Sequence, residues 1–210
     1  LAQRAIDSLI AQQNARDGER AGWGEGPEGG HPLLTAWAVM ALKSAKVAGL
    51  DVAYESFEGA LKFMERIMDE TGAVGELGTP EGGKVNLLHT AAALAARQFL
   101  GKDRNDPKSN AAAELLVEAI PQIEPGLPGR RFLLYFGGLG LFQLGVRSSA
   151  WKSWDELMRG GLLQTQERDS PWKGAWAPDG TEIFDRKPTL SKEDPQAFDK
   201  ALADFQRAPV

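Results

Sequence analysis

The 210-residue sequence contains no cysteine. This absence excludes disulfides, thiolate nucleophiles and metal sites with cysteine ligands. It does not assign a compartment, because a chain without thiols suits oxidising and reducing settings alike. Basic residues are also in deficit, since 24 Lys and Arg stand against 29 Asp and Glu for a formal net charge of −5. We therefore expect no binding to nucleic acid, whose phosphates attract proteins with a basic surplus.

Long apolar runs and histidines are scarce as well. No run approaches the roughly 18 apolar residues of a membrane-spanning helix, so we expect no such segment. The only histidines are His31 and His89, and a zinc site needs at least a third ligand. We find no nucleophile elbow, phosphate-binding glycine loop or HExxH pattern. The sequence therefore predicts no metal site, no cofactor and no catalytic residues.

What the chain does contain is helical periodicity from end to end. Apolar residues recur on one side of the segments 1–13, 54–69, 107–120 and 150–166. The segments that begin at Pro32, 85–100 and 132–144 are apolar nearly all round, as in helices buried on most sides. Loops rich in glycine or proline separate them. This order predicts an all-α protein with two helical layers, an α/α toroid formed as a ring or partial ring.

The same pattern divides the chain into two parts. We expect a repeat domain over residues 1–178 and a polar C-terminal extension over 179–210, with a short helix near 195–207. The one-sided helical pattern already begins at Leu1, so we expect a preceding segment to have been cut away.

One local pattern occurs twice at a distance of 153 residues. A Leu-aliphatic pair is followed by a glutamine, and a tryptophan comes ten residues after the glutamine. The two copies contain Gln13 with Trp23 and Gln166 with Trp176. Residues 33–36 also match residues 88–91 at an offset of 55. Together these echoes predict a repeat of about 50 residues, with one helical hairpin per unit.

The repeat unit resembles that of the terpenoid cyclase and protein prenyltransferase α/α toroids, where it carries the QW motif. Residues 132–176 resemble bacterial prenyltransferase/squalene-oxidase-repeat proteins most closely. The resemblance implies a toroid fold and favours an extracytoplasmic location. It also implies that Gln13 and Gln166 bond to the start of a neighbouring helix, while Trp23 and Trp176 stack beside them.

The chain departs from the catalytic members of this superfamily. It has no DxDD-like acidic motif for protonating a substrate, and no cysteine for zinc or a thioester. It also has about three and a half hairpins where the enzymes have about six. We therefore predict a non-catalytic module that binds an unknown protein partner or a small apolar ligand.

Candidate ligand-binding residues lie near the starts of the apolar helices, at what we call the inner-helix mouth. They are His31, Trp37, His89, Arg131 and Tyr135. Trp37 and Tyr135, with Phe132 and Phe136, either line a central apolar pocket or pack as core. The two histidines either face the mouth together or serve as caps and packing residues.

An enzyme remains the alternative. Carboxylates on facing loops, such as Glu25 or Glu28 with Glu76 or Glu81, are placed for general acid and base chemistry in a degenerate cyclase-like or polysaccharide-processing enzyme. With 29 acidic residues in the chain, chance pairs of this kind are also expected.

Overall fold

A computed structural model of the chain describes residues 1–26, 28–79, 84–124, 127, 129–166, 168 and 173–176. Glu81, the extension 179–210 and the helix predicted near 195–207 lie outside these residues. The described residues form seven α-helices and a short 3₁₀ helix, Ile120–Gln122. The all-α class is therefore confirmed. Among the described residues, no helix is long and apolar enough to cross a membrane.

The helices lie where the periodicity places them, with ends that differ by a few residues. Their bounds are Ala2–Ala11 (α1), Pro32–Val47 (α2), Tyr54–Ile67 (α3), Leu87–Phe99 (α4), Pro107–Glu118 (α5), Arg130–Leu144 (α6) and Ser149–Thr165 (α7). Side-chain caps fix several of the starts. Asn86 accepts a hydrogen bond from the His89 amide at α4, and Ser148 accepts one from the Trp151 amide at α7.

A small β-hairpin, which the sequence pattern did not predict, lies in this otherwise helical chain. Strands β1 (Ala15–Arg16) and β2 (Glu19–Arg20) pair antiparallel inside the first loop. Asp17 and Gly18 connect them with φ angles of 52° and 82°. Positive φ at both central residues is the geometry of a type I′ turn, which an Asp-Gly pair favours. Strands of two residues are too short to show an alternating pattern, so periodicity missed them.

The helices pack in two rows. The apolar row consists of α2, α4 and α6, with α4 between the other two, and α4 also contacts α3 and α5. Every residue from 89 to 97 in α4 is buried as a result. The amphipathic row consists of α1, α3, α5 and α7, and in α7 only Trp154 is fully buried. The apolar row is therefore enclosed only at α4, since α2 and α6 keep exposed side chains such as Trp37 and Tyr135.

Glycines let the helices approach closely at two points in α6. A Cβ atom on Gly137 would lie 2.2 Å from Cζ2 of Trp154 in α7. One on Gly140 would lie 2.8 Å from Cγ of Leu94 in α4. Real Cβ atoms essentially never come so near another heavy atom, so these glycines are required by packing.

The three helices of the apolar row begin at the same end of the molecule. His31, which precedes α2, has its ring 5.1 Å from the ring of His89 in the first turn of α4. Gly129, which precedes α6, lies against Leu88, again in the first turn of α4. This common end is the inner-helix mouth of the sequence prediction.

Candidate functional site

Two histidines meet at the mouth, one from each of the first two apolar helices. Their rings pack edge to face, with an interplanar angle of 87°. The Nδ1 atom of His31 accepts a hydrogen bond from the Leu33 amide, so His31 caps α2. Nδ1 of His89 lies 3.2 Å from the carbonyl oxygen of Gly75, which only accepts, so this nitrogen carries the proton. Each histidine is therefore hydrogen-bonded to the backbone of its own helical hairpin.

The surroundings favour the neutral form of both rings. Burial lowers the pKa of His31, and the neighbouring His89 lowers it further. Burial also lowers the pKa of His89, although its hydrogen bond to Gly75 acts in the opposite direction. Within the described parts of the chain, no three His, Asp or Glu side chains are grouped closely enough to hold a metal ion.

An aromatic cluster joins α2 to α6. Trp37 stacks on Tyr135, with ring centroids 5.3 Å apart and planes inclined by 19°. Phe136 and Phe132 pack edge to face against Trp37 at 5.1 and 6.4 Å. Phe136 is buried, whereas Trp37 and Tyr135 remain 39% and 42% exposed. The four side chains therefore act partly as core, and two of them also present their rings to solvent.

The exposed part of this cluster extends along α2. Leu34 lies one turn before Trp37, on the same face of the helix, and is 45% exposed. We call the exposed surface of Leu34, Trp37 and Tyr135 the aromatic platform. Arg131 is half-buried one turn before Tyr135, so a cation lies at the same end of α6.

The two Gln/Trp pairs form the same local structure. Nε2 of Gln13 donates to the carbonyl oxygen of Ala21 at 2.8 Å, and Nε1 of Trp23 donates to that of Leu9 at 2.7 Å. In the second copy Gln166 donates to Gly174 at 2.8 Å, and Trp176 donates to Leu162 at 2.7 Å. The hydrogen bonds span the same number of residues in both copies, so the sequence echo is also a structural repeat.

The match at an offset of 55 has a structural basis that sequence reasoning missed. The amide of Trp23 donates to Oγ1 of Thr35 in α2, and the carbonyl of Trp23 accepts from the His31 amide at 2.7 Å.

The second hairpin repeats this clamp with other residues. The amide of Val74 donates to Oγ1 of Thr90 in α4, and its carbonyl accepts from the Asn86 amide at 2.9 Å. Thr90 follows Thr35 by 55 residues, and Asn86 follows His31 by the same number. The threonine shared by the two matched segments was the signal for this clamp.

Those carboxylates proposed for acid and base chemistry that the structure describes are either paired with arginines or exposed to solvent. Glu28 pairs with Arg16 at 2.5 Å and with Arg66 at 3.8 Å. Glu25 is exposed. Glu76 borders a cavity of about 900 Å³ beside the start of α4 and the end of α5.

Two carboxyl groups elsewhere have lowered pKa values. The hydrogen bond and the charge of Lys62 lower the pKa of Glu19. Burial raises the pKa of Asp106, but hydrogen bonds from Arg97 and Ser109 outweigh it and bring the pKa to about 2. Arg97 is buried, so Asp106 neutralises a cation between α4 and α5. These carboxylates are suited to ion pairing, and a general acid needs the opposite shift.

A second apolar depression, which we call the α6–α7 groove, lies between the last two helices. Its volume is about 430 Å³. Its lining includes Leu139 and Phe142 of α6, Trp151, Met158 and Leu162 of α7, and Trp176. Phe142 packs edge to face on Trp151 at 5.2 Å. Tyr135 also lines this groove and stacks on Trp37, so the groove adjoins the aromatic platform at that ring.

No protein-family model matches this chain, and neither does any curated protein or solved structure. Its function must therefore be inferred from the geometry of the mouth, the platform and the groove.

Proposed function

We propose that the protein is a non-catalytic binding module that holds an apolar segment of a protein partner on its aromatic platform. The observation behind this proposal is the exposure of a stacked Trp37–Tyr135 pair, at 39% and 42%, next to Leu34 at 45%. Contiguous exposed apolar surface is characteristic of interaction sites. Tryptophan and tyrosine are also enriched among the residues that dominate binding energies.

The shape of the platform favours a segment of a protein over a small ligand. Pockets for small molecules bury most of the ligand surface. Here Phe132 and Phe136 pack against Trp37 and fill the space between α2 and α6. A ligand on the platform is covered from one side only. A longer segment compensates because it contacts several side chains in succession.

The same proposal includes the toroid. Three apolar helices that begin at one end, with amphipathic helices outside them, are the arrangement expected of a section of an α/α toroid. The bonds of Gln13 support this interpretation, because its amide reaches the carbonyl of Ser56 in the first turn of α3 at 2.9 Å. This is the contact that the resemblance to the cyclase and prenyltransferase repeat implies.

The alternative of a degenerate enzyme requires carboxyl groups with raised pKa values at the mouth. Glu28 is instead paired with two arginines, and Glu25 and Glu76 are exposed. These observations favour the binding module.

The test uses peptides selected by phage display on the 210-residue chain. We expect the selected peptides to be apolar, and to lose affinity by at least about tenfold with Trp37→Ala or Tyr135→Ala. Tyr54→Ala is the matched control, because Tyr54 is an aromatic residue on α3 that is 69% exposed. Circular dichroism checks that each variant is folded. Equal affinity for the wild type and both platform variants, or no enrichment of any peptide, would contradict the proposal.

A further inference from the structure

The two Gln/Trp copies share their internal hydrogen bonds but differ in what covers them. Trp23 is 5% exposed, whereas Trp176 is 39% exposed. The amide of Gln13 donates to both Ala21 and Ser56. Among the residues that the structure describes, the amide of Gln166 donates only to Gly174. The second copy therefore has the same internal hydrogen bonds as the first. Among the described residues, it lacks the contacts that bury the tryptophan of the first copy and the second bond of its glutamine.

A pair of helices supplies those outer contacts in the first copy. The buried cluster around Trp23 contains residues of α2 and Ala60 of α3. Ser56, whose carbonyl oxygen accepts the bond from Gln13, is also on α3, in its first turn. The first copy thus shows what a Gln/Trp pair binds: an amphipathic helix that offers a main-chain carbonyl near its start and small or aliphatic side chains along its face.

The α6–α7 groove continues an interface that exists elsewhere in the molecule. Inside the chain, α6 covers α4 and α7 contacts α5. Nothing among the described residues covers α6 and α7 on their far side in the same way. Phe142 is 48% exposed there, and Trp176 is 39% exposed. This edge therefore has the composition of an internal helix interface, and it leads directly to Trp176.

We propose that the α6–α7 groove, together with Gln166 and Trp176, is a docking site for an amphipathic helix of a partner protein. The first turn of that helix gives a carbonyl oxygen to Nε2 of Gln166, as Ser56 does to Gln13. Its apolar side fills the groove over Phe142 and covers Trp176. The site is on the edge of the helical rows and adjoins the aromatic platform of the proposed function at Tyr135, whereas Leu34 and Trp37 lie outside the groove lining.

A partner protein is a better occupant than a second copy of this chain. The helix that plays this role here is α3, and its carbonyl and apolar face are already engaged with Gln13 and the core. A second copy would have to release α3 from its own first motif before it could donate that helix. A partner with an unengaged amphipathic helix has no such cost.

The probe for the test is a synthetic peptide of residues 32–67, which carries both helices that cover the first copy. The site for this segment in the first copy is already filled by the chain itself, so binding reports on the second copy. We expect fluorescence anisotropy to show that the peptide binds to the 210-residue chain, and that Gln166→Ala and Trp176→Ala weaken this binding by about tenfold or more. Gln12→Ala is the control, since Gln12 is an exposed amide next to Gln13.

Three results would overturn the proposal. The first is that the peptide does not bind. The second is that the Gln166→Ala and Trp176→Ala variants bind the peptide as tightly as the wild type does. The third is that Phe142→Ser, a second substitution within the groove, leaves the affinity for the peptide unchanged. Acrylamide quenching decides between occupants: if Trp176 is already protected in the dilute protein alone, other residues of the same chain cover it. If protection rises with protein concentration and sedimentation shows dimers, a second copy does so.

Discussion

The first and second Gln/Trp copies begin with similar residues and share their internal hydrogen bonds, yet only the first lies in the core. Gln13 and Trp23 are followed by α2 and α3, which pack over them. Gln166 and Trp176 occupy the edge beside α7. The difference shows that this motif encodes a local turn, while its burial depends on the helices that follow. Such a turn is a connector between hairpins, consistent with a repeat architecture.

The largest expected contrast comes from the tryptophans. Trp23→Ala removes a buried side chain and its hydrogen bond to Leu9, and we expect it to lower the free energy of unfolding by about 3–5 kcal/mol. Trp176→Ala removes a side chain that is 39% exposed, and we expect a loss of about 1 kcal/mol. Urea unfolding followed by circular dichroism measures both. Similar losses for the two variants would mean that the second copy is buried as deeply as the first.

The glutamines sharpen the same comparison. Gln13→Ala removes three hydrogen bonds, two donated to Ala21 and to Ser56 at the start of α3 and one accepted from Arg20, and we expect it to cost about 2 kcal/mol. Among the described residues the Gln166 side chain makes one hydrogen bond, to Gly174, and we expect Gln166→Ala to cost about 1 kcal/mol or less. The double variant tests independence. The two losses should add, because the sites share no partner. A strong departure from additivity would contradict the view that each copy acts within its own turn.

The smallest effect on stability is expected from a change of pH. It arises where the first two helical hairpins meet, at the contact between His31 and His89. His31 and His89 have pKa values below the ordinary 6.5 in the folded chain, chiefly because they are buried. The unfolded chain therefore binds more protons as the pH falls below about 6.5, and stability falls with it. Carboxyl groups titrate well below this window, so the effect can be separated from acid unfolding.

The measurement is the urea midpoint at pH 7.5 and at pH 5.5. We expect a lower midpoint at pH 5.5 for the wild type. The variant with His31→Asn and His89→Gln should lose much of this dependence, and asparagine at position 31 can still cap α2 as Asn86 caps α4. An unchanged pH dependence in this variant would show that the two histidines are not its source.

The sequence was most informative where structure is regular. Every helix, from α1 to α7, was visible as an apolar period, and the contrast between one-sided and all-round patterns predicted which row each helix joins. The Gln/Trp echo was visible because both copies keep the same spacing. Sequence reasoning left His31 and His89 either facing the mouth together or serving as caps; their rings are in contact and His31 caps α2, while a ligand there remains a proposal.

Contacts between distant elements were harder to predict. The stacking of Trp37 on Tyr135 depends on how closely α2 and α6 approach in front of the small residues of α4, which no local pattern encodes. The hairpin at Asp17 and Gly18 is set by two residues, too few for a periodic signal. Burial of Trp23 but not Trp176 depends on the elements that follow each motif, and similar local sequences carry no such information.

The enclosed position of α4 has a consequence for how the molecule can be extended. Neighbours on every side leave residues 89 to 97 no surface for contact with anything new. Further helices can therefore extend the apolar row only beyond α2 or beyond α6. Hydrogen exchange should record the same geometry, with the slowest amides along α4 and progressively faster exchange toward both borders.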